Sequence, residues 1–440
     1  MSLRKRLSMS STSTRSESPL VFSAAPNADS EEWVKAWRQI LARDLIDSPV
    51  VTIDAETSVE DACDMLLSKD LNCLAINGLP GSPPRNTPYH GLFDYADVNA
   101  FLTLAATRHK LAPEEFRDKP RVQEIVAAAI AGRVPVHLVS NLSEKNPLET
   151  LSHDATLISL LSVFARGTHR VLIRSPPPSN SFLGMISDRH VLSWFMTYAQ
   201  QTPSLLRFIT NPLHSLALPS LYLYMAVIAA KATECVLDAM RLMSDEGVGS
   251  VAVIEEETGS LLSAVSVTDI GKIVVPAQSN HILSMSLGQF VALIKEPDGS
   301  TDGVDKFPVY SVTPSTTLLY TMQKLLATNA HRLFVTDDSP VTSPGAPARN
   351  TGNLCGIVSI VDALSLFARI ANIPDVDPTR MQRHRRASSS ASSHSSPSES
   401  GTYGRSRSSS RTSMQRLSGS ELRSSIASKE SVPWADRVPK

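Results

Sequence analysis

The chain has 440 residues, of which 42 are Lys or Arg and 43 are Asp or Glu, so its formal net charge is −1. This near-neutral balance argues against a protein that holds nucleic acid or an anionic membrane through a chain-wide positive field. The length is sufficient for two or three domains with substantial hydrophobic cores.

The N-terminal segment, residues 1–30, contains basic and hydroxyl residues but no apolar run of the kind that a secretory signal needs. We predict that it is disordered, because a segment with so few apolar side chains cannot offset the entropy lost on ordering. The folded part is expected to begin at about Glu31.

Within the folded part, one order of elements occurs four times: a short strand, an amphipathic helix, two further strands, and a second helix that begins at a turn. The elements predicted for the first copy are residues 50–53, 59–67, 71–76, 90–93 and a helix from 96, and those for the second are 148–151, 157–165, 170–174, 183–186 and 191–195. Helices and strands alternate along each copy, which predicts a mixed α/β fold.

The second half of the chain repeats this order. The elements predicted for the third copy are residues 225–229, 234–243, 250–254, 262–267 and 270–274, and those for the fourth are 309–312, 317–327, 332–336, 355–359 and 363–370. Val236, Met240 and Met243 have helical spacing, whereas the continuous apolar run at 250–254 is typical of a strand buried on both faces. The apolar stretch 213–230 contains Pro219 and several polar residues, so we expect no membrane span there.

The spacing of the four copies indicates how they arose. The turn before the last helix carries Asp94, Ser187, Ser266 and Ser359, at intervals of 93, 79 and 93 residues. The first-to-third and second-to-fourth intervals are both 172 residues. A long period that occurs twice indicates duplication of a two-repeat unit.

The C-terminal segment differs in composition from the rest. It has 20 serines between residues 387 and 431, and from Val376 onwards it has 12 Lys/Arg against 5 Asp/Glu. The predicted domains are a disordered N-terminus at 1–30, a first module at 31–200 with repeats at about 47–105 and 145–200, a linker at 201–217, a second module at 218–375 with repeats at about 218–276 and 305–371, and a disordered Ser/Arg-rich tail at 376–440.

The β-α-β-β-α unit with its helix-opening turn resembles the cystathionine-β-synthase (CBS) domain over about residues 50–370. This resemblance implies four CBS repeats that pack sheet to sheet in pairs, as two Bateman modules with clefts between the repeats. In the fourth copy, the runs AHRLFV at 330–335 and GIVSIVD at 356–362 resemble the γ subunit of AMP-activated kinase. That likeness implies that the Ser and Asp of the turn hold phosphate and ribose and that the Arg contacts phosphate.

The layout of the whole chain resembles another family, the fungal Sds/Moc regulators of the cell cycle and of stress responses. The likeness rests on four repeats between a basic, serine-containing N-terminus and a long serine-rich tail, and on the runs FPVYSVTP at 307–314 and SIVDALSLF at 359–367. It implies inhibition of type 2A-like Ser/Thr protein phosphatases in the cytoplasm and nucleus, with roles in nutrient response, cell separation and cell-cycle progression.

Two turns contain the groups that a nucleotide needs, namely Ser359 with Asp362 and Ser266 with Asp269. Backbone N–H groups at a helix N-terminus attract phosphate, a hydroxyl can bind a phosphate oxygen, and a carboxylate three residues later can accept from the ribose hydroxyls. The alternative is helix capping, in which the serine contributes about 1 kcal/mol with no ligand. Capping is favoured in the first two copies, because Asp94 replaces the hydroxyl in one and His190 replaces the carboxylate in the other.

His331 and Arg332 begin a strand of the fourth copy, as His169 and Arg170 do in the second. The Arg332 guanidinium could fork onto a phosphate of AMP, ADP or ATP, or pair with a carboxylate at the module rim. Because Ser359 and Asp362 accompany Arg332, a nucleotide is expected in the second module if one binds at all. No cofactor is required by any motif, and the cysteine spacing indicates no metal site.

The tails carry candidate phosphorylation sites at Ser8 and Ser388, each of which follows a basic pair. A phosphate would add about −1.5 to −2 charges to the basic segment, although a solvated linker with chance matches is the alternative. Nucleic-acid binding by the tail is not expected, because only Tyr403 interleaves with its arginines.

No catalytic motif occurs, and no segment outside the repeats is long enough for a catalytic domain. We therefore expect a non-enzymatic regulatory protein without a membrane partner. The first hypothesis is an inhibitor that binds the catalytic subunit of a type 2A-like phosphatase. The second is an adenine-nucleotide-sensing subunit that acts on kinase subunits.

Overall fold

The computed structural model describes residues 27–79, 87–107, 119–222, 227–275, 281–295, 310–337, 354–374 and 376. In these ranges the strands form four sheets of three strands each. In every sheet the first strand runs parallel to the second, and the second runs antiparallel to the third. The α/β fold predicted from the four repeats is therefore confirmed.

The first half of the chain begins with a helix and contains the first two repeats. The elements are α1 (Ala28–Trp37); β1 (Thr52–Ile53), α2 (Val59–Ser68), β2 (Cys73–Asn77), β3 (Tyr89–Asp94) and α3 (Tyr95–Thr107) of repeat 1; the connecting α4 (Pro120–Ile130) and α5 (Val136–Val139); and β4 (Glu149–Leu151), α6 (Leu157–Phe164), β5 (Arg170–Arg174), β6 (Phe182–Ser187) and α7 (Asp188–Gln201) of repeat 2.

The second half contains the other two repeats in the same order. The elements are α8 (Pro203–Ile209); β7 (Ala229–Lys231), α9 (Val236–Asp245), β8 (Ser250–Ile254), β9 (Leu261–Ser266) and α10 (Val267–Val274) of repeat 3; the connecting α11 (His281–Ser284) and α12 (Leu287–Lys295); and β10 (Ser311–Val312), α13 (Leu318–Ala327), β11 (Arg332–Thr336), β12 (Leu354–Ser359) and α14 (Ile360–Ile370) of repeat 4.

The central strands are apolar throughout because each is covered on both faces. In β5, Val171 and Ile173 join the cluster that contains the helices, whereas Leu172 joins a cluster between two sheets. All three side chains are fully buried. Side chains alternate between the faces of a strand, so a run without polar residues is the pattern expected for a strand between two apolar layers.

The sheets pack in two pairs. Ala75 and Leu92 of repeat 1 contact Leu172 and Met185 of repeat 2 in one apolar cluster. A second cluster joins Ala252, Leu261 and Ala264 of repeat 3 to Phe334 and Ile357 of repeat 4. These contacts confirm the predicted pairing of the repeats into two Bateman modules.

The helices join the two modules to each other, with repeat 2 facing repeat 4 and repeat 1 facing repeat 3. The rings of Phe195 in α7 and Phe367 in α14 stack with centroids 4.2 Å apart. On the other side, Tyr95 of α3 packs onto Gly271 of α10, where an added Cβ would collide with the ring. Each repeat therefore has one neighbour through its sheet and another through its helices.

Segments outside the repeats complete the core. The region 201–217, predicted as a linker, contains α8, and its residues Leu205, Ile209 and Leu213 are fully buried against repeats 2 and 4. The first helix begins at Ala28, where Asn27 caps it, slightly before the predicted Glu31. Among the helices that the structure describes, none combines the length and apolar character needed to cross a bilayer.

Candidate functional site: a central cavity shared by four repeats

A cavity of about 320 Å³ lies at the centre of the molecule, and residues of all four repeats line it. Strand ends and helix-opening turns converge there, because the four repeats surround a common centre. Its lining contains five Lys or Arg side chains and three Asp or Glu side chains, together with two histidines. Such a surplus of cationic groups in a concave site favours an anionic ligand.

Five of the six nucleotide-binding candidates meet at this cavity. His331 and Arg332 at the start of β11, Ser359 at the end of β12, and the Ser266/Asp269 pair line it. Asp362 does not belong to the lining. Its side chain is 1% exposed and lies behind Ser359 in the first turn of α14.

Both predicted Ser–Asp pairs form capping boxes. The Ser359 hydroxyl donates to Asp362 Oδ2 at 2.5 Å and accepts from the Asp362 N–H at 3.2 Å. The Ser266 hydroxyl makes the equivalent bonds with Asp269, at 2.7 and 3.2 Å. The capping geometry is thus present at both turns, and each hydroxyl already donates to a carboxylate.

The second oxygen of each carboxylate also has a partner within the chain. Lys295 Nζ lies 3.1 Å from Asp269 Oδ1, and the Ser220 hydroxyl donates to Asp362 Oδ1 at 2.6 Å. Burial raises the pKa of Asp362 although both serine hydroxyls donate to it. Burial would lower the pKa of Lys295, but the charge of Asp269 and the Tyr310 hydroxyl outweigh it and raise that pKa.

The chain itself covers the strand glycines beside three of the turns. A methyl group added at Gly356 would collide with the carbonyl oxygen of Leu221, in the single 3₁₀ turn Pro219–Tyr222. Gly184 is covered by the side chain of Ile46 and the carbonyl oxygen of Ser48, and an added Cβ at Gly91 would lie 2.7 Å from Ser140 Oγ. The backbone of Leu221 therefore occupies the space beside Gly356 through which a ligand would approach the strand.

One cluster at the cavity was not predicted from the sequence. His169 Nδ1 lies 2.8 Å from Asp188 Oδ2, and His331 Nδ1 lies 3.8 Å from the same oxygen. Burial alone would raise the pKa of Asp188, but the imidazoles of His169 and His331 outweigh burial and hold it well below its usual range. The matched positions of the two histidines were visible in the sequence, but the carboxylate between them was not.

The other residues singled out in the sequence are the two tail serines and the acidic pair of repeat 1, of which Asp94 also lines the cavity. Ser8 and Ser388, the predicted phosphorylation sites, are outside the described residues. Asp94 and Asp97 in repeat 1 cap α3, where Asp94 Oδ1 accepts from the Asp97 N–H at 3.2 Å. Asp97 in turn accepts from the N–H groups of Asn141 and Ser143, at 3.0 and 2.9 Å. The capping interpretation of the first repeat agrees with this geometry.

Comparisons with known proteins agree with the repeat architecture. The CBS domain family matches residues 42–80. A crystal structure from Methanocaldococcus jannaschii, described as that of an archaeal homolog of γ-AMPK, superimposes with a TM-score of 0.51 at 16% identity, covering 74% of this chain and all of that one. At this identity the likeness shows the fold.

Curated fungal proteins are similar over most of the chain. Protein SDS23 of Yarrowia lipolytica is 30% identical over 397 residues, which span 85% of this chain and 75% of the relative. Protein sds23/moc1 of Schizosaccharomyces pombe is 29% identical over 344 residues, which span 75% of this chain and 79% of the relative. The chain therefore belongs to the Sds23 family of CBS-domain regulatory proteins.

Proposed function

We propose that this protein restrains a type 2A-like Ser/Thr protein phosphatase by binding its catalytic subunit. The observation that carries the proposal is the family membership, which extends over 85% of the chain and agrees with the Sds/Moc likeness of the repeats and tails. The proposed setting is the cytoplasm and nucleus, where the phosphatase acts in nutrient and stress responses, cell-cycle progression and cell separation.

We further propose that the protein acts by binding and not by catalysis. Two serines at the cavity are already engaged: the hydroxyls of Ser266 and Ser359 donate to carboxylates in capping boxes. A serine nucleophile instead needs a base that accepts its proton and is oriented by a third group. The arrangement at the turns supports a scaffold that holds a ligand or partner.

Affinity purification of the tagged full-length chain from cell extract, followed by mass spectrometry, tests the partner. We expect a type 2A-like catalytic subunit to co-purify, and the purified chain to inhibit that phosphatase on a phosphopeptide in a dose-dependent way. A type 1 phosphatase serves as the matched control and should be unaffected. Co-purification of kinase α and β subunits without a phosphatase would overturn this proposal in favour of the second one.

The second candidate function is sensing of an adenine nucleotide, and the charge of the central cavity favours it. His331, Arg332 and Ser359 face the same space as the Ser266/Asp269 pair of the neighbouring repeat. A guanidinium beside the N–H groups of a helix N-terminus is suited to phosphate oxygens, whereas the Ser359 hydroxyl would first have to release Asp362. We propose that the phosphates of AMP, ADP or ATP would occupy this centre.

In repeat 4, the Pro219–Tyr222 turn occupies the position at which the adenosine would contact Asp362 and Gly356. Ser220 already donates to Asp362, and the Leu221 carbonyl covers Gly356. Recognition of the ribose by Asp362 would therefore require the Pro219–Tyr222 turn to move away. A nucleotide bound through its phosphates alone would leave the turn in place.

Calorimetric titration with each nucleotide tests the sensing function. Arg332→Ala should weaken binding roughly ten- to hundred-fold, because a charge-assisted hydrogen bond is worth about 1.5–3 kcal/mol. Arg241→Ala is the matched control, since Arg241 is 61% exposed and pairs with Asp245 on the surface of α9. Wild-type protein that shows no binding at millimolar nucleotide would exclude the sensing function.

A further inference from the structure

Three side chains with metal-ligand chemistry meet where repeat 2 faces repeat 4. They are His169, just before β5, Asp188, the first residue of α7, and His331, just before β11. Their donor atoms all lie within 4.8 Å of one another. Both histidines line the central cavity, whereas the carboxylate is 1% exposed behind them.

We propose that His169, Asp188 and His331 bind a divalent transition metal ion, with Zn²⁺ as the best match. Bonds of about 2.0–2.2 Å in a tetrahedral site place neighbouring donor atoms about 3.3 Å apart. The separations from Asp188 Oδ2 are 2.8 Å to His169 Nδ1 and 3.8 Å to His331 Nδ1. These two separations bracket the required value to within about half an ångström, and the third, between the two imidazole nitrogens, is within 4.8 Å and closes to about 3.3 Å if the rings turn toward a common ion.

The ligand set agrees with this choice of metal. Imidazole nitrogen with carboxylate oxygen suits zinc, whereas magnesium and calcium favour sites made of oxygen alone. Three protein ligands leave the fourth position of a tetrahedral ion open. Because both imidazoles border the cavity, that position faces the cavity and can take a water molecule or an oxygen atom of an anionic ligand.

Neighbouring contacts hold the three ligands in place. The other oxygen of Asp188, Oδ1, accepts from the Arg189 N–H at 2.8 Å, which leaves Oδ2 directed at the imidazoles. The Arg189 guanidinium donates to the carbonyl oxygens of Leu325 and Asn329, at 3.2 and 2.9 Å. These bonds fix α7 against the loop that carries His331. Such supporting contacts are typical of metal sites, whose outer partners orient the ligands.

A metal-free interpretation also fits the distances, since His169 can simply donate a hydrogen bond to Asp188. The two interpretations differ in their consequences. A bound ion would link repeats 2 and 4 through coordinate bonds, and its charge would add to the cationic character of the cavity. This inference is independent of whether the protein binds a phosphatase or a nucleotide.

Metal binding by the full-length chain, stripped of metal with a chelator, distinguishes the two interpretations. We expect one Zn²⁺ per chain in competition with a chromophoric chelator, and a visible absorption spectrum of tetrahedral type with Co²⁺. Asp188→Asn keeps the shape of the side chain and removes the anionic ligand. It should weaken Zn²⁺ binding by at least about 100-fold, because even loss of an outer partner costs 10- to 100-fold.

His331→Gln is a second variant, included in case Asp188→Asn fails to fold, because the His331 side chain is more exposed than that of Asp188. It should weaken Zn²⁺ binding to a similar extent. His190→Ala is the matched control, because His190 lies in the first turn of the same helix α7 but outside the cluster. Absence of Zn²⁺ binding at micromolar free metal would overturn the proposal. Binding that survives both Asp188→Asn and His331→Gln would overturn it equally, since the metal would then lie elsewhere.

Discussion

The hydroxyl of Ser220 donates a hydrogen bond of 2.6 Å to the carboxylate of Asp362, which lies 142 residues further along the chain. Both residues are buried. The bond joins the turn that enters repeat 3 to the first turn of the last helix of repeat 4. It occupies a carboxylate oxygen that would otherwise be available to a ribose.

We predict that Ser220→Ala lowers the free energy of unfolding by about 1–3 kcal/mol, because one oxygen of the buried Asp362 loses its donor. Urea unfolding monitored by circular dichroism measures the change. In the double variant with Asp362→Ala, the cost should be smaller than the sum of the two single costs. Fully additive costs would show that the two side chains do not interact in solution.

Gly356→Ala should destabilise the protein by about 1–3 kcal/mol, the usual cost of forcing an extra methyl into a packed region. The added Cβ would collide with the Leu221 carbonyl. Gly249→Ala is the matched control, because a Cβ there meets no atom within 4 Å. Thermal unfolding of both variants measures the difference, and equal melting temperatures would mean that the turn does not lie on Gly356.

Phe367→Ala should cost about 3–5 kcal/mol, because the ring is fully buried between α7 and α14. Tyr320→Ala is the control within the same repeat, since Tyr320 is 53% exposed. Its cost should stay within about 0.5 kcal/mol. Denaturant unfolding measures both changes. A small effect of Phe367→Ala would contradict the packing of repeat 2 on repeat 4.

The free energy of unfolding should depend on pH through Asp97, which is buried beside Asp94 in repeat 1. Burial, and then the charge of Asp94, raise the pKa of Asp97 to about 8. The folded state therefore keeps a proton that the unfolded state releases between about pH 4 and 8. By linkage, this group's contribution makes the free energy of unfolding fall as the pH rises through that window.

Asp94→Asn tests this sign directly. Asparagine caps a helix about as well as aspartate, so the variant removes the neighbouring charge and keeps the cap. For each unit by which the pKa of Asp97 falls, the variant should regain about 1.4 kcal/mol at pH 8. Urea unfolding at pH 5 and pH 8 measures the slope, and identical slopes for wild type and variant would contradict the coupling.

The central strands could be predicted from the sequence almost to the residue. Arg170–Arg174, Ser250–Ile254 and Arg332–Thr336 were predicted with the observed ends, because burial on both faces imposes a continuous apolar run. The first strand of each repeat was placed less well. In repeat 3, residues 225–229 were predicted, whereas the strand is Ala229–Lys231. A strand of two or three residues has too short a pattern to fix its position.

The site was predictable only in its local parts. Ser359 and Asp362 are three residues apart, so their turn was recognisable from spacing, and the capping alternative followed from the same spacing. Ser220, which donates to the second oxygen of Asp362, and Lys295, which donates to the second oxygen of Asp269, come from other segments of the chain. Contacts of this kind depend on how four repeats assemble, and no local pattern in the sequence records them.

Each repeat touches one neighbour through its sheet and a different one through its helices, so the four interfaces form a closed ring. A fragment comprising only one Bateman module would expose the apolar faces of its helices to water, which promotes aggregation. Failure of such a half-chain to bind a partner would thus reflect the exposed helices as much as the missing residues. Partner surfaces on this protein are better mapped by point substitutions in the intact ring than by truncation.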